Sequence, residues 1–190
     1  MTSDYPKLLV ATEFSPNGSG GGPAVVRQML KDWPAENLFW WSCFPDQDRL
    51  FGREVARHRV ARIPPKLLPS RNWCRQKSWL LGKWWVPWAT RHFRKTLATL
   101  RPDAVWVIPH GWSIPPVAAV LPEANVGFHV SLHDYMDARG MVLRLGTERS
   151  RNLAAGADQL YARANSRDAI GQPMVDDLRG RTGCEGTGRL

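Results

Sequence analysis

Apolar positions in this chain come in short blocks that alternate between continuous runs and helical spacing. Lys7-Leu-Leu-Val-Ala-Thr-Glu13, with Leu8 to Ala11 apolar without a break, reads as an apolar strand. The glycine-rich stretch Asn17-Gly-Ser-Gly-Gly-Gly-Pro23 follows as a turn, and Ala24-Val-Val-Arg-Gln-Met-Leu30 then reads as an apolar-faced helix. Leu38-Phe-Trp-Trp-Ser42, between Pro34 and Pro45, is a second strand, and Arg59-Val-Ala-Arg-Ile63 a short third. Trp73 to Leu100 reads as helix, with a break or kink expected at Pro87. Arg101-Pro-Asp103 ends it, and Ala104-Val-Trp-Val-Ile108 is a buried strand. A short helix is expected from Pro115 to Leu121 and a strand from Val126 to Leu132. A long helix covers much of Thr147 to Asn165, with Gly156 a weak spot inside it. Asp168-Ala-Ile-Gly171 is a last short strand, and Pro173 suits the first residue of a helix running from Met174 to Arg181. Alternation at this spacing predicts an α/β fold: a Rossmann-like, mainly parallel sheet with helices on both faces.

In such sheets ligands gather at the carboxyl ends of the strands. That rule selects Asn17 to Gly22, Cys43-Phe44, His110-Gly111-Trp112, His133-Asp134 and Gly171-Gln172. The glycine loop is the most informative of these. A helix start leaves backbone N–H groups unpaired, and glycines ahead of it let an anion approach closely. A nucleotide diphosphate or a phosphorylated substrate is the ligand it suits, although a plain strand-to-helix turn accounts for it equally well. The G-x-G-x-x-G dinucleotide pattern fails, because its third glycine falls on Pro23 or Val25. Gly22 is followed by Pro23 and Ala24, so the ATPase phosphate loop is excluded too. No cofactor and no metal is expected. Glu13 lies near the same edge and reads as a solvated loop acid that could contact a hydroxylated ligand. His133-Asp134 and His110 read either as site groups or as structural pairs and turns.

The 190 residues suit one domain, and 43% apolar with 23% charged residues is a globular composition. No apolar run approaches the ~20 residues that span a bilayer, and the N-terminus lacks a secretory pattern. Cys43, Cys74 and Cys184 match neither a disulfide framework nor zinc spacing, which points to a reducing cytoplasm. The net charge of +9 is unevenly placed: between Arg49 and Arg101 there are 14 Lys/Arg and one acid, Glu54. Trp73, Trp79, Trp84, Trp85 and Trp88 lie in the same block. Leu80, Leu81, Trp84, Trp85 and Trp88 share one helical face, which either packs on the sheet or, with its basic neighbours, meets an anionic membrane. Nucleic acid is disfavoured, because no recognised binding motif accompanies the charge.

Taken together, the strand with its Gly-Ser-Gly-Gly-Gly-Pro loop, the Arg-Pro-Asp-Ala-Val-Trp-Val strand and Ser131-Leu-His-Asp-Tyr135 resemble the N-terminal domain of GT-B glycosyltransferases. The closest likeness is to the retaining family 4 group. Ala164 to Met174 with Asp177 to Gly183 is similar to that family's last strand and helix before the interdomain linker. The resemblance runs from about Lys7 to Gly183, so residues 1–183 are expected to form the acceptor-side domain and 184–190 a truncated or frameshifted tail. It implies that Gly20, Gly21 and Gly22 lie near the donor diphosphate and that His133 sits by the transferred sugar. It also implies a nucleotide-sugar donor, held weakly without a second domain, and an acceptor glycan or lipid-linked sugar of envelope or polysaccharide assembly. His110 and Asp134 join the candidate substrate-binding residues through their strand-end positions. On this resemblance the chain alone is expected to turn over negligibly, at the inner face of the membrane. A non-catalytic binding module and a gene fragment are the alternatives.

Overall fold

The computed structural model describes residues 5–18, 20–45, 54–68, 73–136, 142 and 145–188. Its strands are β1 (Leu8–Thr12), β2 (Leu38–Ser42), β3 (Arg57–Val60), β4 (Ala104–Ile108), β5 (Gly127–Leu132), β6 (Ser166–Ala169) and β7 (Thr187–Gly188). They form one sheet in the order β3-β2-β1-β4-β5-β6-β7, and every neighbouring pair is parallel. Parallel neighbours need crossover connections, and helices supply them everywhere but between β2 and β3, part of whose connection lies outside the described residues. The helices are α1 (Gly21–Met29), α2 (Cys74–Leu80), α3 (Val86–Leu100), α4 (Ile114–Ala118), α5 (Thr147–Arg163) and α6 (Gln172–Thr182). The chain builds outward from β1 to β3, crosses back, and builds outward again from β4 to β7. This is a Rossmann-like arrangement, and the reversal leaves a crevice at the carboxyl ends of β1 and β4.

Two apolar layers hold the sheet. Val10, Trp40, Trp106 and Ile108 pack under Val26 of α1 and Leu30 just beyond it on one face. Leu9, Trp41, Val105 and Val107 pack on the other, with Phe93 of α3, Ile114 of α4 and Leu160 of α5. Register follows the apolar runs: Val10 lies beside Trp40 on one side and Trp106 on the other.

Several expected boundaries move. The third strand covers Arg57–Val60 rather than Arg59 to Ile63, because as an edge strand it needs only one apolar face. Gly156 is no weak spot. A Cβ there would lie 2.8 Å from Ile114 Cγ2, so the missing side chain is what lets α5 approach α4. Residues 187 and 188, expected in a tail, pair with Asp168 and Ala169 as the seventh strand.

The expected break at Pro87 is replaced by a wider turn just before it. Leu81–Trp85 forms a π-helical turn that joins α2 to α3, and Pro87 falls in the first turn of α3. There its missing N–H and its ring are tolerated. The wide turn also keeps the buried face in phase. Leu81, Trp85, Ala89 and Phe93 are all buried at steps of four. In a regular α-helix three such steps drift by about 120°, and one inserted residue removes about 100° of that. Leu81 and Trp85 therefore pack on the sheet, whereas Trp84 and Trp88, expected on the same face, are exposed.

One partly buried bond makes stability depend on pH. Trp41 Nε1–H donates to His92 Nδ1 at 3.0 Å, which requires the neutral imidazole. Burial holds the His92 pKa below the ordinary histidine value, with repulsion from Arg59 and Lys95 adding to it. Below about pH 6.5 the unfolded chain takes up a proton that the folded chain refuses. The stabilisation is therefore full above that pH and is lost as pH falls through the depressed folded value. Urea midpoints should fall between pH 7.5 and pH 5, and His92→Gln should flatten that dependence; an unchanged slope would remove His92 as its source.

Candidate functional site

Glu13 is the first residue past β1, and the fold places it at the reversal point of the strand order. Its backbone carbonyl accepts N–H bonds from Cys43 (3.1 Å) and Phe44 (3.0 Å), which ties it to the end of β2. Its carboxylate reaches the opposite way. Oε1 accepts the Trp112 backbone N–H at 2.8 Å, and Oε2 lies 2.6 Å from His110 Nδ1. Glu13 thus joins three strand ends on its own, and it is buried rather than a solvated loop acid.

The turn after β4 is shaped to meet it. Gly111 has φ +45°, in the left-handed region that favours glycine, and a Cβ there would overlap the Glu13 carboxylate. Ser113 Oγ–H donates to the His110 carbonyl at 2.7 Å and accepts the His110 N–H at 3.3 Å, closing the turn. A carboxylate only accepts, so the Glu13 contact assigns the proton to His110 Nδ1. Nε2 then faces Asp134, whose Oδ2 is 3.9 Å away. The imidazole is held between two carboxylates, one buried and one exposed. That arrangement suits proton exchange with, or hydrogen bonding to, a polyhydroxylated ligand.

These groups line a cavity of about 260 Å³ at the carboxyl edge, shared with Gly22, Phe44 and His133. The sequence candidates Gly22, His110, His133 and Asp134 are therefore brought together. His133 is half-buried and Asp134 exposed. Gly20 and Gly21 lie at the exposed start of α1, at the same edge but not among the cavity-lining residues. Gly20 has φ +118° and serves as N-cap, without a side-chain cap and with no acid in the first turn. Arg27 Nη1 braces the loop from behind, donating to the Gly18 carbonyl at 2.7 Å and to that of Pro16 at 3.3 Å. Trp40 Nε1–H donates to the Phe14 carbonyl at 3.0 Å and fixes the segment after Glu13.

Cys43, behind Glu13, is inert. Burial pushes its thiol well above the ordinary range, and the Glu13 charge adds to that, so no thiolate forms near neutral pH. A second polar chain crosses the sheet on the α1 side. His129 Nε2 is 3.1 Å from both Ser131 Oγ and Asp168 Oδ2, and Ser131 Oγ accepts Trp106 Nε1–H at 2.9 Å. A nucleophilic triad needs the acid on the opposite ring nitrogen from the serine. Here both sit at Nε2, Nδ1 faces Ser166 Oγ at 2.8 Å, and Ser131 is buried. The chain is a partly buried tie between β4, β5 and β6. Among the described residues no group of three or more His, Cys, Asp or Glu is placed to hold a metal ion.

Sequence reasoning underrated Glu13, whose partners lie nearly a hundred positions away. The available signal was its position directly after the first buried strand. Comparison of the sequence with models of known families and with curated proteins gave no match.

Proposed function

We propose that this domain is the acceptor-side half of a retaining glycosyltransferase of the GT-B kind, similar to family 4. One observation carries the reading. Gly22 and Pro23, in the first turn of the uncapped helix α1, line one cavity with Glu13, His110, Asp134 and His133 at the strand-order reversal. The helix start suits a sugar-nucleotide diphosphate, and the imidazole–carboxylate group suits sugar hydroxyls. His133, the catalytic candidate, stands by the transferred sugar. The acceptor is a glycan or lipid-linked sugar of envelope or polysaccharide assembly. A cytoplasmic setting agrees with Cys43, Cys74 and Cys184 being free thiols.

Among the described residues the cavity lining contains two acids and two histidines but neither lysine nor arginine. Cations that neutralise a leaving diphosphate are each worth ~3 kcal/mol or more of barrier. The chain by itself is therefore expected to bind weakly and to transfer sugar negligibly. A nucleotide-sugar titration followed by amide NMR shifts tests the reading. Shifts should concentrate at Gly20 to Gly22, His110 and His133. Gly21→Ala should weaken them while raising stability by about 0.5 kcal/mol, because a Cβ there meets nothing within 4 Å. Shifts confined to another edge, or rapid turnover by this chain alone, would sink the proposal.

A further inference from the structure

The helix running from Cys74 to Leu100 leaves an outer face that the core does not use. Trp79, Trp84 and Trp88 are 55%, 66% and 42% exposed, and Trp73, directly ahead of α2, is 70% exposed. Arg75, Lys83, Arg91, Arg94 and Lys95 are exposed between and below them. The sequence holds no acid between Glu54 and Asp103, so nothing acidic on this helix offsets the charge. Lys83 Nζ lies 4.8 Å from the Trp79 ring centre and 5.9 Å from that of Trp84. Residues five apart diverge on an α-helix; the π turn brings these two rings beside one ammonium group.

We propose that this face docks on an anionic phospholipid membrane. Three features select that occupant. Tryptophan interleaved with lysine and arginine is the composition of a membrane–water interface, whereas lysine is depleted from protein–protein interfaces. The face extends in a line about 40 Å long at 1.5 Å per residue, which a planar bilayer can meet along its whole length. Bases of a single-stranded nucleic acid would stack on open rings, but Lys83 lies over Trp79 and Trp84. At the Trp79 end the face opens into a hollow of about 420 Å³ whose wall holds Arg75 and Arg149 together with the acid Glu148.

Docking here also orients the cavity described above. α2 and α3 run from the carboxyl edge of the sheet toward its amino edge, so Trp73 and Trp79 lie at the end nearer the site. Behind them Trp85 meets Trp112 edge-on at 6.5 Å, and Trp112 belongs to the turn held by Glu13. The membrane-facing helix and the candidate site thus share a wall. The docking does not depend on the glycosyltransferase reading, and its test uses no sugar.

The experiment is co-sedimentation of the full chain with phosphatidylcholine vesicles, with and without phosphatidylglycerol, followed by quenching with lipids brominated on the acyl chains. Binding to the anionic vesicles, weakening as salt rises, with quenching of tryptophan emission is expected. Each basic residue near an anionic surface multiplies partitioning by about fivefold. Lys83→Glu/Arg91→Glu/Arg94→Glu should therefore reduce binding by about a hundredfold or more. Trp79→Ser/Trp84→Ser/Trp88→Ser should abolish most of the quenching. All six side chains are exposed, so thermal melts should change little and a folding defect is separable. Equal binding to both vesicle types, binding without acyl-chain quenching, or capture of single-stranded nucleic acid in place of vesicles would each overturn the proposal.

Discussion

Gly111→Ala is expected to lower the melting temperature by about 9 °C and to disassemble the cavity wall. A non-glycine residue held in the left-handed region costs ~1–2 kcal/mol. The new Cβ would also lie 2.7 Å from Glu13 Oε2 and 2.8 Å from its Cδ, so the carboxylate must leave. The Trp112 N–H, which it accepts, is then buried without a partner at a cost of ~1–3 kcal/mol. Together these come to about 3 kcal/mol, and a chain of this size loses ~2–4 °C for each. Melting followed by far-ultraviolet circular dichroism gives the answer, with Gly21→Ala as the control that should not fall. A Gly111→Ala protein melting with the wild type would mean that Glu13 does not hold the turn.

Trp40→Ala should cost more, about 4 kcal/mol, because the ring is fully buried and its loss leaves a cavity under α1. Trp40→Phe separates two contributions. It retains most of the packing and loses only the N–H bond to the Phe14 carbonyl, a loss of about 1 kcal/mol. The phenylalanine variant should fold nearly as well as wild type while the segment after Glu13 loosens, seen as faster amide exchange at Phe14 and Ser15. Equal denaturation midpoints for the alanine and phenylalanine variants would show that the bond, not the ring, carries the stability.

What could be read from the sequence followed the strength of each local signal. β1 and β4 sit within nearly unbroken apolar runs, the pattern of strands buried on both faces, and β5 alternates Phe128, Val130 and Leu132 with polar residues. β3 begins two residues earlier and ends three earlier than expected because Arg57-His-Arg-Val has little apolar periodicity to fix its ends, and β7 is a Thr-Gly pair with none. The glycine loop and the two strand-end histidines were legible because carboxyl-edge positions follow from strand order alone. The Glu13–His110 contact was not: it spans 97 positions and depends on β1 and β4 being neighbours, a fact of topology. The helix from Trp73 onward was legible as a helix, but its facing was not. Its buried line steps by four through Leu81, Trp85, Ala89 and Phe93, leaving Trp84 and Trp88 outside, and the extra residue in the turn at Leu81–Trp85 is what keeps that line in phase.

That turn has a consequence for how such a surface is kept. A π turn carries one residue more than the α turn it replaces and adds no rotation, so gaining or losing one codon there leaves α2 in phase with α3. With one residue deleted between Leu81 and Trp85, an unbroken α-helix would still seat Ser78 on the buried line with Ala89 and Phe93, and Trp79 would stay in the row that ends at Trp88. A single-residue insertion elsewhere in the helix, with no wide turn to absorb it, would instead rotate one part of the outer face by about 100° against the other. The turn is therefore the place where this helix can change length without disturbing either its seat on the sheet or the row of tryptophans outside.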